Sequence, residues 1–239
     1  MRLIATITGY IGVIVANTLF ASLVLVCGLI ESHGRLWWRM GRMWGRTIMW
    51  GSLSRVTVEG MDQLEWNQPA ILMANHQSLM DVPALISACP VPLRFVARKA
   101  VFSVPILGMA MKATGQISVD RTNRERSIDS LSKAASQISN GRTVLVFPEG
   151  TRSDDGEIGQ FKKGGFMLAL QAGVPIVPVG VSGTRGIVPR GGWSFRPGRV
   201  RIVVGTPIAT AGLRVEDRDD LMDRVLDSMK ACVERAKSS

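Results

Sequence analysis

Sulfur, imidazole and phenol are scarce in this chain: its 239 residues include three cysteines, two histidines and one tyrosine. Cys27, Cys89 and Cys232 are odd in number and far apart, a pattern that supports neither a disulfide framework nor a zinc site. The soluble part therefore suits a reducing cytoplasm. Nucleic-acid binding is disfavoured despite a formal charge of +10. No binding motif is present, and most of the tryptophans gather beside the N-terminus instead of interleaving with a basic groove. The chain also lacks a composition shift, a Pro/Ser-rich linker, an internal repeat and any low-complexity tract, so one α/β domain with a short appendage accounts for its length.

Charge is missing altogether from residues 3–30, a run of 28 positions. That exceeds the roughly 20 residues a helix needs to span a bilayer. Thr6, Thr8, Gly9, Gly12, Asn17, Thr18 and Ser22 interrupt it, so a bent helix entering one leaflet competes with a straight span. A cleaved signal peptide fits less well, because the apolar stretch exceeds the usual length of about 7 to 15 and no small-x-small site follows. Next, Arg35, Arg39, Arg42 and Arg46 fall within a stripe of roughly 60° on one helix face, with Trp37, Met40, Trp44 and Ile48 opposite. Tryptophan and arginine together suit a helix lying in the headgroup layer. The alternative is a solvated basic face backed by an apolar face that packs on protein. We expect a membrane-anchoring helical segment over residues 1–52 and a single domain over 53–239, on the cytoplasmic face.

Within that domain, β-rich runs recur at 55–58, 70–74, 93–96, 116–119, 143–147, 176–181 and 200–204. Helix-like stretches lie at 82–88, 105–113, 124–139 and 165–172, and a closing helix at 217–236. The alternation predicts an α/β fold, a largely parallel or mixed sheet flanked by helices. In such sheets ligands collect beyond the carboxyl ends of the strands. The runs at 70–74 and 143–147 lead directly into Asn75-His76-Gln77-Ser78-Leu79-Met80-Asp81 and Pro148-Glu149-Gly150-Thr151-Arg152-Ser153. If both strands are parallel, these two loops share one edge.

His33 follows the apolar run and suits an interfacial position, whereas His76 stands at a strand end. Asp81, five residues on, can reach the His76 ring only through a turn; such a pair fixes the tautomer and leaves the other nitrogen as a general base. Ser78-x-x-Asp81 is equally acceptable as a capping box with no catalytic meaning. The glycine and loop amides after Phe147, with Arg152 close by, suit an anionic group such as phosphate. Arg121, at the end of Gly115-Gln116-Ile117-Ser118-Val119-Asp120-Arg121, is a further candidate; Arg98, Lys99, Lys162 and Lys163 fit solvated surface.

With these residues in place, the sequence resembles the glycerolipid acyltransferase family, typified by 1-acylglycerol-3-phosphate acyltransferases. NHQSLMD is similar to its His-x4-Asp block, GQISVDR to its second, FPEGTRS to its third and VPIVPV to its fourth, in order over about residues 55–185. Ser118 departs from the bulky apolar residue common there. The resemblance implies that His76 is the catalytic base and Asp81 its orienting partner. It also implies that Arg121, Glu149, Gly150, Thr151 and Arg152 form the acceptor-phosphate site. The activity implied is transfer of a fatty acyl group from acyl-coenzyme A or acyl-carrier protein to the sn-2 hydroxyl of lysophosphatidic acid, giving phosphatidic acid. Gly180-Val181-Ser182-Gly183-Thr184 fails as a nucleophile elbow at its last position and no cysteine neighbours His76, so direct transfer without an acyl-enzyme, metal or redox cofactor is expected. Lyso-ornithine lipid or another lysophospholipid as acceptor, and a non-catalytic peripheral membrane scaffold, remain open alternatives.

Overall fold

All seven β-rich runs become strands of one sheet in the computed structural model, which describes residues 2–20, 22, 23, 26, 35–105, 107–119, 124–139 and 141–238. Cys27, His33 and Arg121 lie outside the described residues. The strands are β1 (Arg55–Glu59), β2 (Ile71–Ala74), β3 (Leu93–Arg98), β4 (Ile117–Val119), β5 (Thr143–Val146), β6 (Ile176–Ser182) and β7 (Arg199–Val204), in the order β1-β7-β6-β2-β5-β3-β4. Every neighbouring pair is parallel except β6 and β7. The sheet is thus mixed, with β7 returning beside β6 without the crossover a parallel pair needs.

The central strands β2, β5 and β6 are apolar but for Thr143 and Ser182 at strand ends, because both faces of the sheet are covered. Alternation along β2 sends Leu72 and Ala74 into one core and Ile71 and Met73 into the other, all of them buried. The first core is roofed by α1 (Arg2–Val15, continuing through a π-helical turn Ala16–Phe20), α2 (Arg35–Gly51) and α3 (Asp81–Ala88). The second is roofed by α5 (Arg124–Ser139), α6 (Lys163–Ala172) and α8 (Arg218–Lys237); α4 (Leu107–Ala113) and the single turn α7 (Thr184–Ile187) are further helices among the described residues. Leu145 faces the first core and Val144 and Val146 the second. Truncating such a fully buried leucine to alanine costs about 2–5 kcal/mol.

Residues 2–20 form a helix long and apolar enough to cross a membrane, with a mean hydropathy of 1.8. Helix α2 keeps the two-sided character read from its spacing, with Arg39 and Arg46 exposed and Trp37 and Ile48 buried. Its apolar face, however, is spent on protein. Trp37, Trp38, Ile48 and Met49 join the core shared with α1, α3 and the sheet, and the Arg94 guanidinium of β3 lies 4.2 Å over the Trp37 ring. Burial, with help from the Arg142 charge, pushes Arg94 down to about 10. Trp50, near the end of the same helix, stands apart from that core and is 79% exposed.

Candidate active site

Strands β2 and β5 are parallel neighbours, so the loops that follow them leave the same edge of the sheet. The first loop turns tightly back on itself. His76 Nδ1 lies 2.7 Å from Asp81 Oδ2, and the same oxygen accepts the backbone N–H groups of Gln77 at 2.7 Å and Ser78 at 2.9 Å. Asp81 opens helix α3 and is fully buried, while the His76 side chain is 17% exposed. The Ser78 hydroxyl accepts the Met80 N–H at 3.1 Å and donates to the Val188 carbonyl at 2.6 Å. One carboxylate oxygen therefore serves the turn and the imidazole together, while the helix itself starts after Met80 without a side-chain cap, so the Ser78–Asp81 capping box is only half formed.

A second set of bonds fastens this loop to the one after β5. Glu149 Oε1 accepts the His76 N–H at 2.8 Å and Oε2 the Gly159 N–H at 2.9 Å, while the His76 carbonyl accepts the Ser153 N–H at 2.8 Å. The peptide of His76 is therefore gripped on both sides. Burial pushes the Glu149 carboxyl above its ordinary range, against the opposite pull of the Gly159 and His76 amides. Gly150 turns the chain at φ +73°, a conformation few other residues tolerate, and Phe147 stacks on the His76 ring with centroids 4.0 Å apart.

The structure thus brings His76, Asp81, Glu149, Gly150, Thr151 and Arg152 to one edge. Thr151 is exposed and Arg152 half-buried, and the Arg152 side chain has no ionic partner among the described residues. Lys162 and Lys163 are exposed, as expected of solvated surface. Sequence reasoning missed Asn75, whose amide exchanges two bonds with the Val181 backbone (3.0 and 2.7 Å) and locks β2 to β6 beside the site. It also missed Arg190, which donates to the Arg152 carbonyl at 2.7 Å and to Asp154 at 2.8 Å. A polar residue closing a wholly apolar strand was the one available sign of Asn75.

An imidazole held at Nδ1 by a buried carboxylate, with Nε2 free of protein partners among the described residues and no hydroxyl or thiol against it, is equipped for proton transfer to and from a ligand. The chain belongs to the acyltransferase family, whose family model, described as Acyltransferase, matches residues 55–182. It is 34% identical over 208 residues to the 1-acyl-sn-glycerol-3-phosphate acyltransferase of Saccharomyces cerevisiae, covering 86% of this chain and 68% of that one. It is 35% identical over 167 residues to the chloroplastic enzyme LPAT1 of Arabidopsis thaliana, covering 67% of this chain and 47% of that one. The chain spans about half the length of several such relatives. Its fold matches the crystal structure of the 1-acyl-sn-glycerophosphate acyltransferase PlsC of Thermotoga maritima with a TM-score of 0.86 and 29% identity, over 100% of this chain and 97% of that one.

Proposed function

We propose that this chain transfers a fatty acyl group from a thioester, of coenzyme A or acyl-carrier protein, to the sn-2 hydroxyl of lysophosphatidic acid at the cytoplasmic face of a membrane. The observation that carries this reading is the His76–Asp81 pair, with Nε2 free of protein partners among the described residues. His76 Nε2 takes the acceptor's hydroxyl proton as its oxygen attacks the thioester carbonyl. The tetrahedral adduct collapses, the carbon–sulfur bond breaks, and the imidazolium returns its proton to the departing thiolate. Asp81 stabilises the imidazolium by the bond that fixes the tautomer.

Arg152, with Arg121, Gly150 and Thr151, takes the acceptor phosphate in this reading. The Arg152 guanidinium, with no carboxylate partner among the described residues, is well suited to a doubly charged oxyanion. Glu149 serves the same site differently, since both its oxygens are bonded to amides and its charge opposes a phosphate. It holds the His76 peptide against the phosphate loop. Residues 2–20 supply the apolar anchor, so acceptor and enzyme meet in one leaflet.

The test is a purified-protein assay with labelled acyl-coenzyme A and labelled acyl-carrier protein against lysophosphatidic acid, lyso-ornithine lipid and other lysophospholipids. Labelled phosphatidic acid is the expected product. Preference for another lysolipid would replace the acceptor, and transfer to none would favour a non-catalytic membrane protein.

A further inference from the structure

The chain leaves β6 and α7 and returns to β7 through a loop, residues 189–196, whose sequence is Pro-Arg-Gly-Gly-Trp-Ser-Phe-Arg. Its tryptophan, Trp193, is 84% exposed, an unusual position for the largest apolar side chain. The backbone beneath it is far from loose. Tyr10 of α1 donates its hydroxyl to the Trp193 carbonyl at 2.5 Å, Arg2 donates to the Ser194 hydroxyl at 2.8 Å, and Thr6 donates to the Phe195 carbonyl at 3.2 Å. Phe195 is buried against Gly9, where a Cβ would come within 2.6 Å of its ring. At its other end the same segment reaches the catalytic loops. The Val188 carbonyl takes the Ser78 hydroxyl, and Arg190 holds the Arg152 carbonyl.

We propose that loop 189–196 is a second lipid-surface contact, carrying the Trp193 indole into the headgroup layer of an anionic leaflet beside α1 and tying that docking to the loops that hold His76 and Arg152. Three observations single out this occupant. The loop is continuous with α1, whose Leu3, Ile4, Ile7, Ile11 and Ile14 are all exposed large apolar residues. Its surroundings are basic, with Arg196 and Arg199 exposed and without a carboxylate partner among the described residues, as suits anionic headgroups. It also stands at the reacting edge. Because β7 runs antiparallel to β6 and parallel to β1, the starts of β1 and β7 share an edge with the carboxyl ends of β2, β5 and β6. An indole at that edge, polar at one side and apolar over the rest, has the chemistry of interfacial tryptophans.

The inference rests on anchoring through α1, and the experiment separates the two. Full-length protein is floated with phosphatidylglycerol vesicles whose acyl chains carry bromine near the headgroup. Since the chain has six tryptophans, the Trp193 emission is taken as the difference between wild type and Trp193→Leu, an exposed substitution that leaves the core untouched. That difference should be quenched by the brominated lipid and become shielded from aqueous acrylamide when vesicles are added. Arg196→Gln with Arg199→Gln should weaken the quenching on phosphatidylglycerol and leave it unchanged on phosphatidylcholine. Protein that floats while its Trp193 emission stays unquenched and acrylamide-accessible overturns the inference alone; protein that does not float overturns the anchor and the inference together. For the tie to the site, Trp193→Asp should lower transfer to vesicle-borne acceptor several-fold with the donor KM unchanged, and equal transfer would remove it. Quenching requires no turnover, so a failure of the proposed activity would leave the surface contact standing.

Discussion

Asp81 Oδ2 lies 2.7 Å from His76 Nδ1, while the other oxygen of the same carboxylate, fully buried, meets no hydrogen-bond donor among the described residues. The asymmetry decides what an amide would do there. In Asp81→Asn, the oxygen can stay on the three donors only if the NH2 group occupies the place of Oδ1, leaving two buried N–H donors without acceptors at about 1–3 kcal/mol. The reverse orientation sets the NH2 group against the Gln77 and Ser78 N–H donors and meets Nδ1 only if the imidazole adopts the opposite tautomer, which removes the free base at Nε2. Asp81→Asn should therefore lower both the melting temperature and the turnover. Equal stability and equal rate would reduce Asp81 to a helix cap.

Glu149→Gln should loosen the His76 peptide, because a side-chain amide offers one acceptor to two backbone N–H groups. Turnover should fall at neutral pH. The pH dependence of stability has a definite sign. The folded state raises the Glu149 carboxyl above its ordinary value, so it binds that proton more tightly than the unfolded chain does. Wild type thus loses stability as pH rises from the unfolded pKa through the folded one, and the glutamine variant does not. Melting curves of both proteins at pH 4 and pH 7 should show the variant's deficit narrowing toward neutrality; a widening deficit would contradict the burial argument.

Arg152→Ala should raise the apparent KM for lysophosphatidic acid far more than that for the acyl donor, by the factor that corresponds to a lost charged hydrogen bond of about 1.5–3 kcal/mol. The same holds for Arg121→Ala. An effect confined to the donor would move these residues out of the phosphate pocket.

How much of this was legible in the sequence follows the range of each interaction. Strands β2 and β5 announced themselves because burial on both faces demands unbroken apolar runs, and helix 124–139 was readable from its own pattern. The antiparallel return of β7 was not, since nothing within a strand names its neighbour. The amphipathic pattern of α2 was legible, but the choice between lipid and protein for its apolar face was not: Trp37 and Ile48 would show the same spacing against either. In the site, His76 and Asp81 are five residues apart and visible as a pair. The Asn75–Val181, Ser78–Val188 and Arg190–Arg152 bonds join residues far apart in the chain. Motif resemblance grouped Glu149 with the phosphate residues, and its bonds to two amides could be seen only in three dimensions.

Membrane attachment should survive salt. The residue 2–20 helix exposes a row of large apolar side chains, and their burial in lipid is insensitive to screening, whereas the arginine contribution is not. Full-length protein should stay in the membrane fraction at 1 M NaCl and be extracted by detergent. Deleting residues 1–50 should leave the remainder insoluble or released and destabilised, because it strips Trp37, Trp38, Ile48 and Met49 from a shared core. Quantitative release of intact protein by salt would refute insertion.

The outcome on which the mechanism depends is that of His76→Ala. Among the described residues His76 is the only histidine, its Nδ1 is committed to Asp81, and neither Cys89 nor Cys232, both buried, can replace it as base or nucleophile. Burial pushes the Cys89 thiol up to about 12. The His76 backbone N–H and carbonyl, which carry the bonds to Glu149 and Ser153, are retained by alanine, so the loops should keep their arrangement. His76→Ala should therefore fold, bind membranes and bind lysolipid, while turnover falls roughly 10²- to 10⁴-fold, the scale of general-base catalysis. Stacking of the lost ring on Phe147 predicts a small loss of melting temperature in addition. Melting temperature, lysolipid affinity and turnover measured on the same preparation separate a missing base from a collapsed site. A folded His76→Ala that transfers acyl groups at the wild-type rate would end this mechanism.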